Sequence, residues 1–179
     1  MKFVATPLAG TFVVEVEPSP DERGLFARTY CAREFERAGL DPRIAQCSVS
    51  FNRKRGTLRG MHAQAAPCAE AKLVRCTRGA IWDVALDLRP DSPSYLAHFG
   101  LVLAAAERRA LYVPPGVFHG FLTLADDSEV FYQISAFYAP DAQRGVRWND
   151  PAFGIVWPEE VAVIAERDRS YPDFSGRGV

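Results

Sequence analysis

The sequence predicts an all-β fold: a sandwich or barrel of the jelly-roll kind with a few short peripheral helices. Short apolar runs recur at regular spacing, and Pro-Asp, Pro-Gly and Asp-Asp-Ser turn signals separate them. A single clear helical stretch stands near the front. With 179 residues, the chain suits one domain spanning positions 1–179.

The elements follow in order. Residues 11–17 (TFVVEVE) alternate, which places Phe12, Val14 and Val16 on one face of a strand. Residues 32–38 read as a helix, with Gly39 in the stop position. Residues 71–78 and 80–87 are two strand-like runs split by Gly79, a hairpin or a corner. Residues 94–103, 110–113, 120–124 and 129–138 continue the pattern. The tail after Trp157 carries prolines and charges and is expected to wrap the outside of the barrel.

Charge and composition exclude several classes. Lys plus Arg total 21 against 22 for Asp plus Glu, a net charge of −1, so neither nucleic acid nor a membrane surface is the expected partner. The only lysines are Lys2, Lys54 and Lys72, so Lys72 stands out in its apolar run. The N-terminal apolar run is cut by Pro7 and followed by Glu15 and Glu17, unlike a signal peptide. No stretch approaches about 18 uninterrupted apolar residues. Cys31, Cys47, Cys68 and Cys76 lack CxxC spacing and are expected to be reduced in a cytoplasmic protein, with Cys47 and Cys76 buried.

Two constellations carry candidate chemistry. One is Arg59-Gly60-Met61-His62-Ala63-Gln64, followed by Glu70 and Lys72; the other is Pro114-Pro115-Gly116-Val117-Phe118-His119-Gly120. Together they match the two halves of the cupin signature, so the expected fold is a cupin-type jelly roll. Gln64 stands where a second histidine ligand belongs, and His98 lies outside both motifs. A catalytic metal usually takes three strong protein ligands, so a cavity working without metal is expected. Acid–base chemistry remains open to it. His62 is a candidate base, Lys72 can steady an oxyanion, and Tyr132 can return a proton. Each has a plainer reading: a structural histidine, an edge charge, a packed tyrosine. Only their joint occurrence favours proton abstraction beside a carbonyl.

The motif around His62, then Ala71-Lys72-Leu73-Val74-Arg75, Asp83-Val84 with Asp87-Leu88-Arg89 and Ser92-Pro93, Pro114-x-Gly116-x-x-His119-Gly120-Phe121, Tyr132 with Tyr138, and Trp148-Asn149-Asp150-Pro151 with Trp157-Pro158 resemble the dTDP-4-dehydrorhamnose 3,5-epimerases. Asp21-x-Arg23-Gly24-x-Phe26 also fits. The resemblance runs from about residue 11 to residue 172.

It implies a metal-free and cofactor-free homodimer acting on a nucleotide-linked 4-keto-6-deoxyhexose, most simply a dTDP sugar. It further implies His62 as base, Asp168 as the carboxylate behind it, Lys72 at the enolate oxygen and Tyr132 as acid. Arg59, His119, Gln46 and Tyr138 fall at sugar-site positions, and Arg23, Phe26 and Arg28 at the nucleotide end. Departures are Ala63 for a tyrosine, Gln133 for a lysine, Arg28 for a glutamate and Ser48 for an asparagine. They leave open the base, the sugar and the choice between one and two inverted centres. A metal-dependent cupin oxygenase and a non-catalytic sugar-nucleotide binder are the distant rivals. Arg53, Lys54 and Arg55 with Arg59 read either as a solvated loop or as help with a diphosphate. Trp82 and Phe121 read as core or as base-stacking rings.

Overall fold

The computed structural model describes residues 1–176. Its strands are Lys2–Ala5 (β1), Phe12–Glu15 (β2), Ser19–Asp21 (β3), Gly24–Phe26 (β4), Gln46–Asn52 (β5), Thr57–Gln64 (β6), Lys72–Arg78 (β7), Ala80–Asp87 (β8), His98–Ala104 (β9), Ala110–Val113 (β10), Val117–Thr123 (β11), Ser128–Ile134 (β12), Gln143–Gly145 (β13) and Val163–Ile164 (β14). Helices are confined to Ala32–Arg37 (α1), Glu166–Arg169 (α2) and a 3-10 turn at Pro140–Ala142.

Two antiparallel sheets face each other. One has the order β1-β2-β10-β7-β12-β5; the other is β13-β6-β11-β8-β9, with β14 joining β6 in parallel. Consecutive β7 and β8 lie in different sheets, so Gly79 is a corner and not a hairpin. Its φ is +76°, and a Cβ there would strike Ser128. Between the sheets, Val74, Cys76, Leu111 and Val130 meet Ile81, Ala85, Leu103 and Phe121. That apolar filling closes one part of the sandwich and leaves the rest free for a cavity.

Both sheets are also covered outside. On the first, α1 drops Phe35 against Phe12, Val14 and Leu73. The shared face of Phe12 and Val14 is thus the one under the helix, while Val13 enters the inner core. The helix ends as its glycine suggests. Gly39 has φ +72°, its N–H bonds Glu36 and the Leu40 N–H bonds Phe35, which caps the free carbonyls. On the second sheet, Phe153, Trp157 and Phe174 cover Met61, Val84 and Leu86. Trp82 belongs to this outer layer, against Gly100.

Several expectations need correction. Strand β6 falls in a stretch read only as a motif and β5 in one given no element, because polar inward residues break their alternation. Strand β9 begins at His98, since Ser92 and Ser94 are held in the preceding turn. Strand β12 stops at Ile134, where the Ser135 hydroxyl accepts from the Ala71 N–H at 2.8 Å. Cys47 is exposed, because it sits on the edge strand β5; Cys76 is buried, and all four thiols are free. The tail does more than wrap the outside: β14 and α2 turn inward and bring Asp168 against β6.

The Asp87-Leu88-Arg89 motif is a structural pin. The Asp87 carboxylate is wholly buried and accepts from Arg89 at 2.7 and 2.8 Å and from Ser94 Oγ at 2.6 Å. Burial pushes this carboxyl up, but the bonds from Arg89, Ser92 and Ser94 outweigh it and hold it at about 2. A depressed folded value means the stabilisation is present above the ordinary carboxylate range and lost as pH falls toward 2. Asp87→Asn is therefore expected to cost about 2 kcal/mol at neutral pH. The cost should shrink on acidification, read as denaturant midpoints at pH 7 and pH 3; an equal cost at both would contradict the pin.

Candidate active site

A cavity of about 600 Å³ opens between the two sheets. Its size lies in the range of small-molecule sites. β6 contributes His62 and Arg59 from one sheet, and β12 contributes Tyr132 from the other, so imidazole and phenol stand on opposite walls. His119 on β11 is the cross-strand neighbour of His62. Its ring meets Tyr132 edge to face at 5.9 Å.

His62 is backed by a carboxylate. Its Nε2 lies 2.7 Å from Asp168 Oδ1, and Asp168 Oδ2 accepts from the Gly60 N–H at 3.2 Å. Asp168 is 2% exposed. Burial pushes its carboxyl up; the His62 bond and charge, the Gly60 N–H and Arg167 together outweigh this and keep it below the usual carboxylate range. An ionised Asp168 only accepts, so neutral His62 donates from Nε2 and keeps its lone pair on Nδ1. The ring nitrogen open to accept a proton is therefore Nδ1.

Lys72 starts on β7 and crosses the gap. Its Nζ donates to the His62 carbonyl at 3.2 Å and pairs with Glu70 at 2.9 Å, while Glu70 is only 5% exposed in its side chain. The ammonium thus stands between the two walls. Across from His62, Tyr132 has its phenol pushed far above the ordinary value, by burial first and by the Asp83 carboxylate second, with Arg59 opposing. It therefore holds its proton more tightly than a free tyrosine.

The second imidazole is also committed: His119 Nε2 lies 2.7 Å from Asp83 Oδ1, and both side chains are buried. Gln64, at the cupin ligand position, instead pins the loop after β6 to the loop after β12. Its amide donates to Cys68 and Phe137 carbonyls and accepts from the Ala139 N–H. Among the described residues, no group of three His, Cys, Asp or Glu side chains forms a metal cluster. His98 lies on β9, against the Phe153 carbonyl.

Gln46, Arg59 and Tyr138 also line the cavity. Gln46 accepts from the Tyr138 N–H at 3.0 Å, and Arg59 donates to Asn52 at 2.8 Å. Arg23, Phe26 and Arg28 do not line it. Arg23 and Phe26 ride on the exposed β3–β4 hairpin, with Phe26 77% exposed, and Arg28 pairs with Glu34. Of the basic run, Arg59 reaches the cavity; Arg55 is tied to Glu159 outside it. Phe121 both fills the core and forms cavity wall. The sequence patterns missed Gln143 and Arg167, which also line the cavity. Arg167 could have been noted as the neighbour of Asp168; Gln143 carries no local signal.

The family model for dTDP-4-dehydrorhamnose 3,5-epimerase matches residues 5–176. The chain belongs to the dTDP-4-dehydrorhamnose 3,5-epimerase family. It is 40% identical over 173 residues to the dTDP-4-dehydrorhamnose 3,5-epimerase of Methanothermobacter thermautotrophicus, covering 95% of this chain and 92% of the relative. It also resembles the crystal structure of the Bacillus anthracis dTDP-4-dehydrorhamnose 3,5-epimerase with TDP and PPi bound. There the TM-score is 0.92 at 36% identity, with 97% and 99% of the two chains covered. A 3'-monoepimerase from Streptomyces bikiniensis, in complex with dTDP-quinovose, matches with a TM-score of 0.87 at 32% identity, over 94% of this chain and 85% of that one. The cupin-type jelly roll of the epimerase family is thus the fold of this chain, and the oxygenase reading falls away.

Proposed function

We propose that this epimerase inverts C3 and C5 of dTDP-4-dehydro-6-deoxy-D-glucose, giving dTDP-4-dehydro-L-rhamnose. The observation that carries the reading is His62 and Tyr132 on opposite sheets of one cavity, with the Lys72 ammonium between them. The C4 ketone acidifies the neighbouring C–H bonds. His62 Nδ1 takes the proton, the electron pair moves onto the C4 oxygen, and Lys72 stabilises that oxyanion. Tyr132 then gives its proton to the carbon from the other face. Each centre inverts with no net redox change, so no cofactor enters. Arg59, His119, Gln46 and Tyr138 hold the sugar end.

A single-centre reaction is the second reading, favoured by the likeness to the 3'-monoepimerase. The nucleotide is thymidine diphosphate in this proposal, supported by the relatives that hold TDP or a dTDP sugar. The working form is a homodimer. Arg23, Phe26 and Arg28 stand away from the cavity of their own chain, so in this proposal they meet the nucleotide of the paired chain. Four free thiols support a cytoplasmic setting. No helix among the described residues is long and apolar enough to cross a membrane.

Incubation with dTDP-4-dehydro-6-deoxy-D-glucose in deuterated water is expected to place deuterium at C3 and C5, read by NMR. Label at one carbon selects the single-centre reading; none at either carbon overturns the epimerase proposal on this sugar. Light scattering on the same preparation should give twice the chain mass, and a one-chain mass would remove the dimer.

A further inference from the structure

The geometry points to Gln143 as a positioning residue that clasps the mouth of the cavity. Its side-chain oxygen accepts two hydrogen bonds, from the Tyr138 hydroxyl at 2.8 Å and from Arg167 Nη1 at 3.1 Å. The amide orientation is forced, because a guanidinium only donates and the oxygen must face it. Arg167 in turn lies against the base and its carboxylate. Its Nε donates to Asp168 Oδ1 at 3.3 Å, and its Nη2 is 3.4 Å from His62 Nε2.

The chain of contacts joins three separate elements. Tyr138 lies in the loop after β12 of the first sheet. Gln143 opens β13, which pairs with β6 so that Gln143 faces Gln64 and Gly145 faces His62. Arg167 is on α2, next to Asp168. A single oxygen therefore sets the distance between the cavity tyrosine and the imidazole–carboxylate pair. Arg167 touches Gln143, Asp168 and His62, yet its own side chain is largely exposed, so Gln143 and Asp168 are what hold it.

This inference rests on the epimerase reading, in which the ring sits between His62 and Tyr132. Tyr138 forms part of the wall of the cavity in which that ring would sit. If Gln143 fixes that wall relative to His62, the clasp acts after proton removal. Its loss leaves deprotonation in place and lets the enolate pick up a proton on the original face. Exchange without inversion then increases relative to inversion.

The test compares wild type, Gln143→Leu and Gln143→Glu in deuterated water with dTDP-4-dehydro-6-deoxy-D-glucose. It measures label in recovered substrate against epimer formed, and thermal melting checks that each variant folds. Gln143→Leu is expected to raise the ratio of exchange to inversion about ten-fold, the factor that one lost hydrogen bond is worth. Gln143→Glu keeps acceptor oxygens for both partners and should restore the wild-type ratio. If exchange and inversion fall together in Gln143→Leu with the ratio unchanged, the residue is merely structural and the inference fails. If Gln143→Glu behaves like Gln143→Leu, acceptance by that oxygen is not what matters, and it fails again. A wild-type protein that neither exchanges nor inverts overturns the epimerase reading itself.

Discussion

His62→Ala is expected to abolish both deuterium exchange and epimer formation, lowering each by at least the roughly 10²–10⁴-fold that a positioned general base supplies. His62 Nδ1 is the one ring nitrogen of the dyad without a partner carboxylate, since Nε2 is bound to Asp168. Asp168→Asn tests the same assignment from behind. It keeps the shape but removes the charge that favours the imidazolium formed when the proton arrives. A fall in exchange of about 10²-fold or more is expected, with His62 still in place. Melting curves separate this from unfolding, because Asp168 also accepts from the Gly60 N–H and is buried. Exchange within ten-fold of wild type in folded His62→Ala would falsify the assignment of the base.

Tyr132→Phe removes one oxygen from the opposite wall and is expected to split the two readouts. Proton removal continues, because the change leaves the His62–Asp168 pair and the Lys72 ammonium at the His62 carbonyl untouched. Epimer formation should fall by about 10²-fold or more, since the far-face proton donor is gone. The pH dependence follows from the raised phenol. Burial and the Asp83 carboxylate move it above its ordinary value, so it loses its proton only at higher pH than a free tyrosine. The rate should therefore show no alkaline limb from Tyr132 below about pH 10. Equal, mild losses of exchange and product in Tyr132→Phe would place the acid elsewhere.

Much of this site can be read along the chain. His62 and His119 sit inside two compact motifs, and the turn residues around them mark strand ends. Lys72 is conspicuous as a rare lysine in an apolar run. These signals survive because each depends on residues a few positions apart. The neighbouring failures are of another kind. Cys47 follows Gln46 on a strand whose edge position decides its exposure, and nothing nearby says which strand is at the edge. Phe12 and Val14 alternate as expected, but alternation cannot tell an inner face from one covered by a helix. The tail after Trp157 looks like surface covering, and most of it is; two residues of β14 and one turn of α2 are enough to deliver Asp168.

Composition, turn spacing and the two histidine motifs suffice for a β fold, a near-neutral charge balance and the chemical types of a candidate base, cation and acid. Folding decided the partnerships. Asp168 meets His62 across 106 positions, Gln143 joins Tyr138 to Arg167, and the hairpin bearing Arg23 and Phe26 leaves its own cavity. Local patterns carry the period of a strand and the side a residue occupies. Which strands pair, in what register, and where Gly79 turns one sheet into the other are collective outcomes of packing two covered sheets. The cavity exists only at that level.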